Sequence, residues 1–189
     1  MKDLAVFASG HGTNFEALAN AADQPDSGYR IAALVCDQSQ APVIQKAAAR
    51  NILTIVVDFK SYPNKTAAET AILEQLPPVS ALILAGYMRI IGPTLLRAFP
   101  KKIINLHPAL LPSFPGRQGI QDAFDYGVKV TGVTVHFVDA GIDTGEIIAQ
   151  VPVNITDGMS LVELEQAIHR QEHQIFPATV KNLIQEGAI

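Results

Sequence analysis

The sequence predicts an α/β fold built on a mostly parallel, doubly wound sheet, with an added pair of strands late in the chain and a helix at its C-terminus. Three observations predict it. Apolar runs of strand length alternate with helical patterns through the first half, residue-by-residue alternation replaces that pattern from Gly132, and the tail after Ser160 is helical. The 189 residues are 48% hydrophobic, enough for a single domain with a buried core, and they contain no repeat, low-complexity tract or dividing linker.

The strand runs are residues 4–8, 31–36, 54–57, 81–85 and 103–105, and residues 15–22, 41–50 and 66–76 read as helices between them. Such alternation requires right-handed crossovers that cover both faces of the sheet, which leaves ligands at the carboxyl ends of the strands. The N-terminal half is Rossmann-like in this sense. In residues 132–138, Val133, Val135 and Phe137 fall on one face and Thr134 and His136 on the other, and a short loop leads into residues 147–153. These read as the added strands, paired antiparallel. Ser160 and Glu163 have the spacing of a capping box, and Pro177 is expected to kink or divide the helix that they open. The proline-rich stretch 108–115 reads as a functional loop.

Fourteen Lys and Arg against eighteen Asp and Glu give a formal charge of -4, which argues against a basic face that tracks nucleic acid. Any phosphate must be held locally. Cys36 lies in an apolar run and reads as a buried strand thiol; a lone thiol forms no internal disulfide, so a reducing compartment is expected. The first apolar run is too short for a signal peptide and no later run nears ~18 apolar residues, so the expectation is a cytoplasmic protein with no membrane partner.

Three segments carry chemistry. Ser9, Gly10, His11, Gly12, Thr13 and Asn14 follow the first strand and open the first helix, where unpaired backbone N–H groups favour an anion. The segment lacks the third glycine of a dinucleotide loop and the lysine of a triphosphate loop, and its plainer reading is a strand-to-helix turn with an Asn cap. Asn105 and His107 are two apart at a strand end and so point to the same side, with Pro108 stopping the ladder after them. A carboxamide donor beside an imidazole suits a developing oxyanion; the alternative is a capped strand end with a surface histidine. Asp139 and Asp143 lie in the loop joining the late strands, and either one could reach the imidazole and raise its pKa, or be an ordinary turn residue. Glu172 falls on the apolar stripe of the last helix, so it either pairs with a buried Lys or Arg or faces a ligand.

With these segments in this order, the chain resembles the glycinamide ribonucleotide (phosphoribosylglycinamide) formyltransferases, a folate-dependent family. The likeness runs nearly end to end and is strongest at Leu84 to Ile90, Asn105 to Pro112, Gly132 to Val138 and Gln171 to His173. It implies one formyltransferase domain over residues 1–189, with about 1–100 holding the acceptor phosphate and about 101–189 the catalytic and folate groups. It implies a catalytic trio of Asn105, His107 and Asp143, a phosphate loop of Gly12, Thr13 and Asn14, and ribose contact by Glu172. The folate site would comprise Met88, Arg89, Ile90, Ile91, Asn105, Val138, Asp139, Ala140 and Gly141, and Leu111-Pro112 is a candidate cis bond. The implied co-substrate is 10-formyltetrahydrofolate, with no metal, and the partners are small molecules acting on a monomer or weak homodimer.

The chain departs from the family pattern at His11, at Glu146 and in residues 60–65, which hold no arginine for the folate tail. Rival readings are a formyltetrahydrofolate deformylase or the formylating domain for initiator tRNA. A zinc peptidase, from the His-x-x-Glu-His spacing at His169, Glu172 and His173, is a rival of another class. A non-catalytic sugar-phosphate-binding module is the last.

Overall fold

The computed structural model describes residues 1–189 as a chain of seven strands and six α-helices: β1 (Lys2–Ala8), α1 (Thr13–Ala22), β2 (Tyr29–Cys36), α2 (Val43–Ala49), β3 (Leu53–Val56), α3 (Lys65–Gln75), β4 (Ala81–Leu84), α4 (Pro93–Ala98), β5 (Ile103–His107), α5 (Gly119–Tyr126), β6 (Val130–Phe137), β7 (Ile147–Asn154) and α6 (Leu161–Gln185). One 3-10 turn, Phe59–Ser61, precedes α3. The strands form a single sheet in the order β3-β2-β1-β4-β5-β6-β7. The first five pair in parallel, and β6 and β7 are antiparallel additions, as the change of sequence pattern predicts.

The central strands are apolar on both sides because both are covered. Leu4, Val6 and Ala8 of β1 enter one core with α1 and α6, whereas Ala5 and Phe7 enter the other with α3 and α4. That division is the two-residue period of a strand buried between helices.

Three local outcomes differ from the sequence reading. α4 and α5 went unread: α4 is a six-residue helix started by Pro93, and α5 presents only Ile120, Ala123 and Phe124 to the interior. Pro177 does not divide α6, which runs unbroken from its Ser160 capping box to Gln185. Phe176, Val180 and Leu183 are buried on either side of the proline, and their packing offsets a lost ladder bond worth about 3 kcal/mol. Cys36 is a free, buried thiol. No helix is long and apolar enough to cross a membrane.

Candidate active site

A cleft of about 1080 Å³ opens at the carboxyl ends of β1, β4 and β5, bounded by the loop after β6 and one face of α6. Every site residue named from the sequence lines it except Ala140, which is exposed on the loop beyond. The expected juxtaposition therefore forms, at the edge of the sheet where doubly wound folds bind ligands.

At one end lies the loop after β1. Gly12 is the N-cap of α1 at φ 74°, and no side chain caps the helix. The Asn cap expected there does not form, because the Asn14 carboxamide turns away and its Nδ2 donates to Glu172 Oε2 at 3.0 Å. The first-turn N–H groups of α1 are thus left for an anion. Gly12 is fixed by packing as well as by φ, since a Cβ there would fall 2.7 Å from Val43 Cβ, whereas a Cβ at Gly10 would meet nothing within 4 Å.

Glu172 is 4% exposed, and no Lys or Arg reaches it. Its partners are Asn14 and His169, whose Nδ1 lies 2.8 Å from Oε2. The hydrogen bond that His169 donates to Glu172 raises the His169 pKa. His169, Glu172 and His173 therefore form an ion pair and a neighbour rather than a ligand set, and no group of three or more His, Cys, Asp or Glu is placed to hold a metal ion.

Near the middle, β5 presents Asn105 and His107. The His107 Nε2 lies 2.7 Å from the Phe114 carbonyl oxygen, which can only accept, so Nε2 carries a hydrogen and Nδ1 is the reactive nitrogen. Nδ1 faces Asp143 Oδ2 at 3.5 Å. Asp143 sits in the left-handed region at φ 52° and is anchored by the Gly116 N–H at 2.8 Å. Asp139 serves its own loop, accepting from the Gly141 amide and the Thr144 hydroxyl.

The expected rise of the His107 pKa does not occur. Burial lowers it, and the Phe114 carbonyl and Asp143 carboxylate pull it up without offsetting that cost. For Asp143 burial acts upward, but the adjacent His136, the bond from the Gly116 amide and the nearby His107 hold it below the usual carboxylate range.

His136 belongs to this group, and the sequence reading did not single it out. The β5–β6 register sets it opposite Asn105, and Asn105 Nδ2 lies 3.2 Å from its Nε2. Its Nδ1 donates to the Phe137 carbonyl oxygen at 2.9 Å, so Nε2 is free to accept from Asn105. A register shift at Val135/His136 against β7 interrupts the ladder there, a device that re-aims side chains beside active sites. Placing His136 and Thr134 on one polar face was a usable signal, but the facing residues depend on register. Thr134 stands opposite His107, donates to the Ala109 carbonyl and accepts from the Leu111 amide, pinning the proline-rich loop whose Leu111-Pro112 bond is cis.

The far end is apolar. Met88 and Ile90 are 56% and 53% exposed on one side, with Ile142 across the cleft and Ile91 buried behind. Arg117, also unread from the sequence, donates from Nη2 to the Met88 carbonyl at 3.2 Å.

Uncapped helix amides at one end, a central Asn–His–Asp group and an apolar far end share one cleft, an arrangement that suits an enzyme moving a group between two small molecules. Comparison with known proteins narrows the class: the formyl transferase model matches residues 2–180, and the chain belongs to that family. It is 50% identical to phosphoribosylglycinamide formyltransferase of Bacillus subtilis over 97% of this chain and 95% of the relative. It is 38% identical to the trifunctional purine biosynthetic protein adenosine-3 of Bos taurus over 98% of this chain, which spans 18% of that larger protein. Among solved structures, glycinamide ribonucleotide transformylase 1 of Geobacillus kaustophilus superposes with a TM-score of 0.95 at 50% identity, covering 97% of this chain and 99% of that one.

Proposed function

We propose that this chain transfers a formyl group from 10-formyltetrahydrofolate to the amine of glycinamide ribonucleotide, giving formylglycinamide ribonucleotide and tetrahydrofolate in de novo purine biosynthesis. The observation that carries this reading is the placement of Asn105, His107 and Asp143 between the open N-terminus of α1 and the apolar wall of Met88 and Ile90. Acceptor phosphate takes the N–H groups of Gly12, Thr13 and Asn14, and the acceptor's ribose takes Glu172. The pterin lies against Met88, Arg89, Ile90 and Ile91, under the loop of Val138 to Gly141. The half around residues 1–100 supplies the phosphate loop and that around 101–189 the catalytic trio.

The acceptor's neutral amine attacks the formyl carbon. A carbon–nitrogen bond forms, the bond to folate N10 breaks, the amine gives up one proton and N10 gains one. Asn105 donates to the oxygen as it becomes negative, and the proton given up by the amine passes to His107 Nδ1, whose affinity for it rises with that charge although burial lowers it in the free protein, and from there to N10. Asp143 sustains the imidazolium or takes the amine's proton, and His136 holds the Asn105 carboxamide in line. None of these steps requires a metal. The reaction is cytoplasmic, the protein a monomer or weak homodimer.

The experiment is formyl transfer from 10-formyltetrahydrofolate with glycinamide ribonucleotide, water and initiator tRNA offered as competing acceptors. Formylated glycinamide ribonucleotide is the expected product. Hydrolysis independent of the ribonucleotide, or formylated tRNA, would replace this reading with one of the related activities.

A further inference from the structure

Asp37 ends β2, outside the residues given a role above, yet its side chain is only 2% exposed. Its Oδ2 accepts from Arg89 Nε at 2.8 Å and from Gln38 Nε2 at 3.1 Å. Burial would raise the Asp37 pKa, but its hydrogen-bonding partners, Arg89 and Gln38 among them, bring it below the ordinary value. Ser9 begins the phosphate loop, and its Oγ accepts the Met88 amide N–H at 2.9 Å while its own amide donates to the Gly86 carbonyl. Arg89 extends past the carboxylate with its guanidinium carbon 4.6 Å above the Phe59 ring.

The strand order explains how a carboxylate just past β2 reaches the loop after β4. β2, β1 and β4 are neighbours, so the residues just past their carboxyl ends are adjacent although Asp37 and Arg89 are 52 positions apart. A second buried carboxylate, Glu69 of α3, fixes the far end of the same wall by accepting from the Gly92 amide at 2.5 Å. Between these two anchors the backbone of Met88 to Ile91 is held rather than free.

We infer that Asp37 is a positioning residue that keeps the folate wall in register with the acceptor-phosphate loop, through its bond to Arg89, whose neighbour Met88 donates its amide to Ser9. An ionised, hydrogen-bonded carboxylate keeps both loops in one register, so that the two substrates meet at the distance that the Asn105–His107 pair requires. The inference rests on the formyl-transfer reading for its kinetic test, and on the protein alone for its structural one.

The kinetic test compares wild type, Asp37→Asn and Asp37→Ala. Asp37→Ala should raise the KM of both substrates on the order of tenfold, the effect of losing a bond to a charged group, and Asp37→Asn should recover part of it. Arg89→Met breaks the same tie and should also raise both KM values, and adding it to Asp37→Ala should cost less than it does in wild type. Amide exchange at Met88 should accelerate in Asp37→Ala, whatever the substrates are. Folded Asp37→Ala with both KM values and Met88 exchange unchanged would overturn the inference, as would a lowered melting temperature with unchanged KM values. If Asp37→Ala does not fold, the same criteria apply to Asp37→Asn. A wild type inactive towards glycinamide ribonucleotide would count against the formyl-transfer reading, and Met88 exchange would then decide the role of Asp37.

Discussion

The two ends of the cleft are built by different means. At the end proposed for the phosphate the groups on offer are backbone amides of one short segment, and the conformation of that segment follows from a glycine at φ 74° packed against Val43. At the catalytic end the groups come from three places, β5, β6 and the loop after β6, and meet only because Asn105 pairs with His136 and Gly116 reaches Asp143. The first end is a local property of the sequence; the second is a property of topology and register. Damage should therefore spread differently: single changes at the phosphate end affect one substrate, and single changes at the catalytic end affect the reaction.

The largest effect expected is at the catalytic end. Loss of one oxyanion donor typically costs on the order of 100- to 1000-fold in kcat, and groups serving one transition state are not additive. Asn105→Ala and His107→Ala should each fall in that range with both substrates still bound, and the double variant should be far less impaired than the product of the two. Single-turnover transfer across the cycle measures this. Multiplicative losses would mean that the two side chains serve separate steps.

Next comes Asp143→Asn, which should cut kcat by roughly tenfold or more. Asp143 pulls the His107 pKa up against burial, so removing its charge should lower that pKa further. NMR titration of His107 in both proteins gives the sign directly. An unchanged titration with intact transfer would remove Asp143 from the chemistry.

How much of this was legible follows the same division. The parallel half of the sheet could be read because its strands are mostly apolar runs, and the late pair because residues 133–137 of β6 alternate between apolar and polar. That Asn105 and His107 share one side of a strand end was legible from their spacing, and that Gly12 to Asn14 open a helix from their position after a strand; the roles proposed for them came from the family resemblance. His136 was not, because nothing local to it says that it faces Asn105. The net direction of the His107 pKa was missed because burial is a sum over distant elements, whereas the opposing carboxylate is visible in the sequence. Pro177 misled because a local propensity was overridden by packing on both sides of it.

At the phosphate end the expected effect is smaller and confined to one substrate. A side chain at Gly10 has open space, so Gly10→Val should leave the fold intact while obstructing approach to the α1 N-terminus. The acceptor KM should rise on the order of tenfold, with the folate KM unchanged. Gly12→Val is the less informative variant, since it must also displace Val43 and force a β-branched residue to positive φ. Equal effects of Gly10→Val on both substrates would erase the contrast between the two ends.

The smallest effect expected is in stability, from Glu172→Gln, and its sign depends on pH. His169 has its pKa raised by the hydrogen bond it donates to Glu172, so the folded state binds this proton more tightly than the unfolded chain. That stabilisation is fully present below the unfolded value of about 6.5 and is lost as pH rises through the folded value. His107 acts in the opposite sense: its lowered pKa means that stability falls as pH drops below about 6.5, and this contribution remains in the variant. Glu172→Gln should thus lose more stability at about pH 5.5 than at about pH 8, by less than about 1 kcal/mol because His169 is half exposed and solvent screens the pair. Melting curves at the two pH values measure the difference, and the acceptor KM measured alongside separates a ligand contact from a structural one. A large stability loss equal at both pH values, with the acceptor KM unchanged, would make Glu172 a core group whose pairing with His169 is incidental.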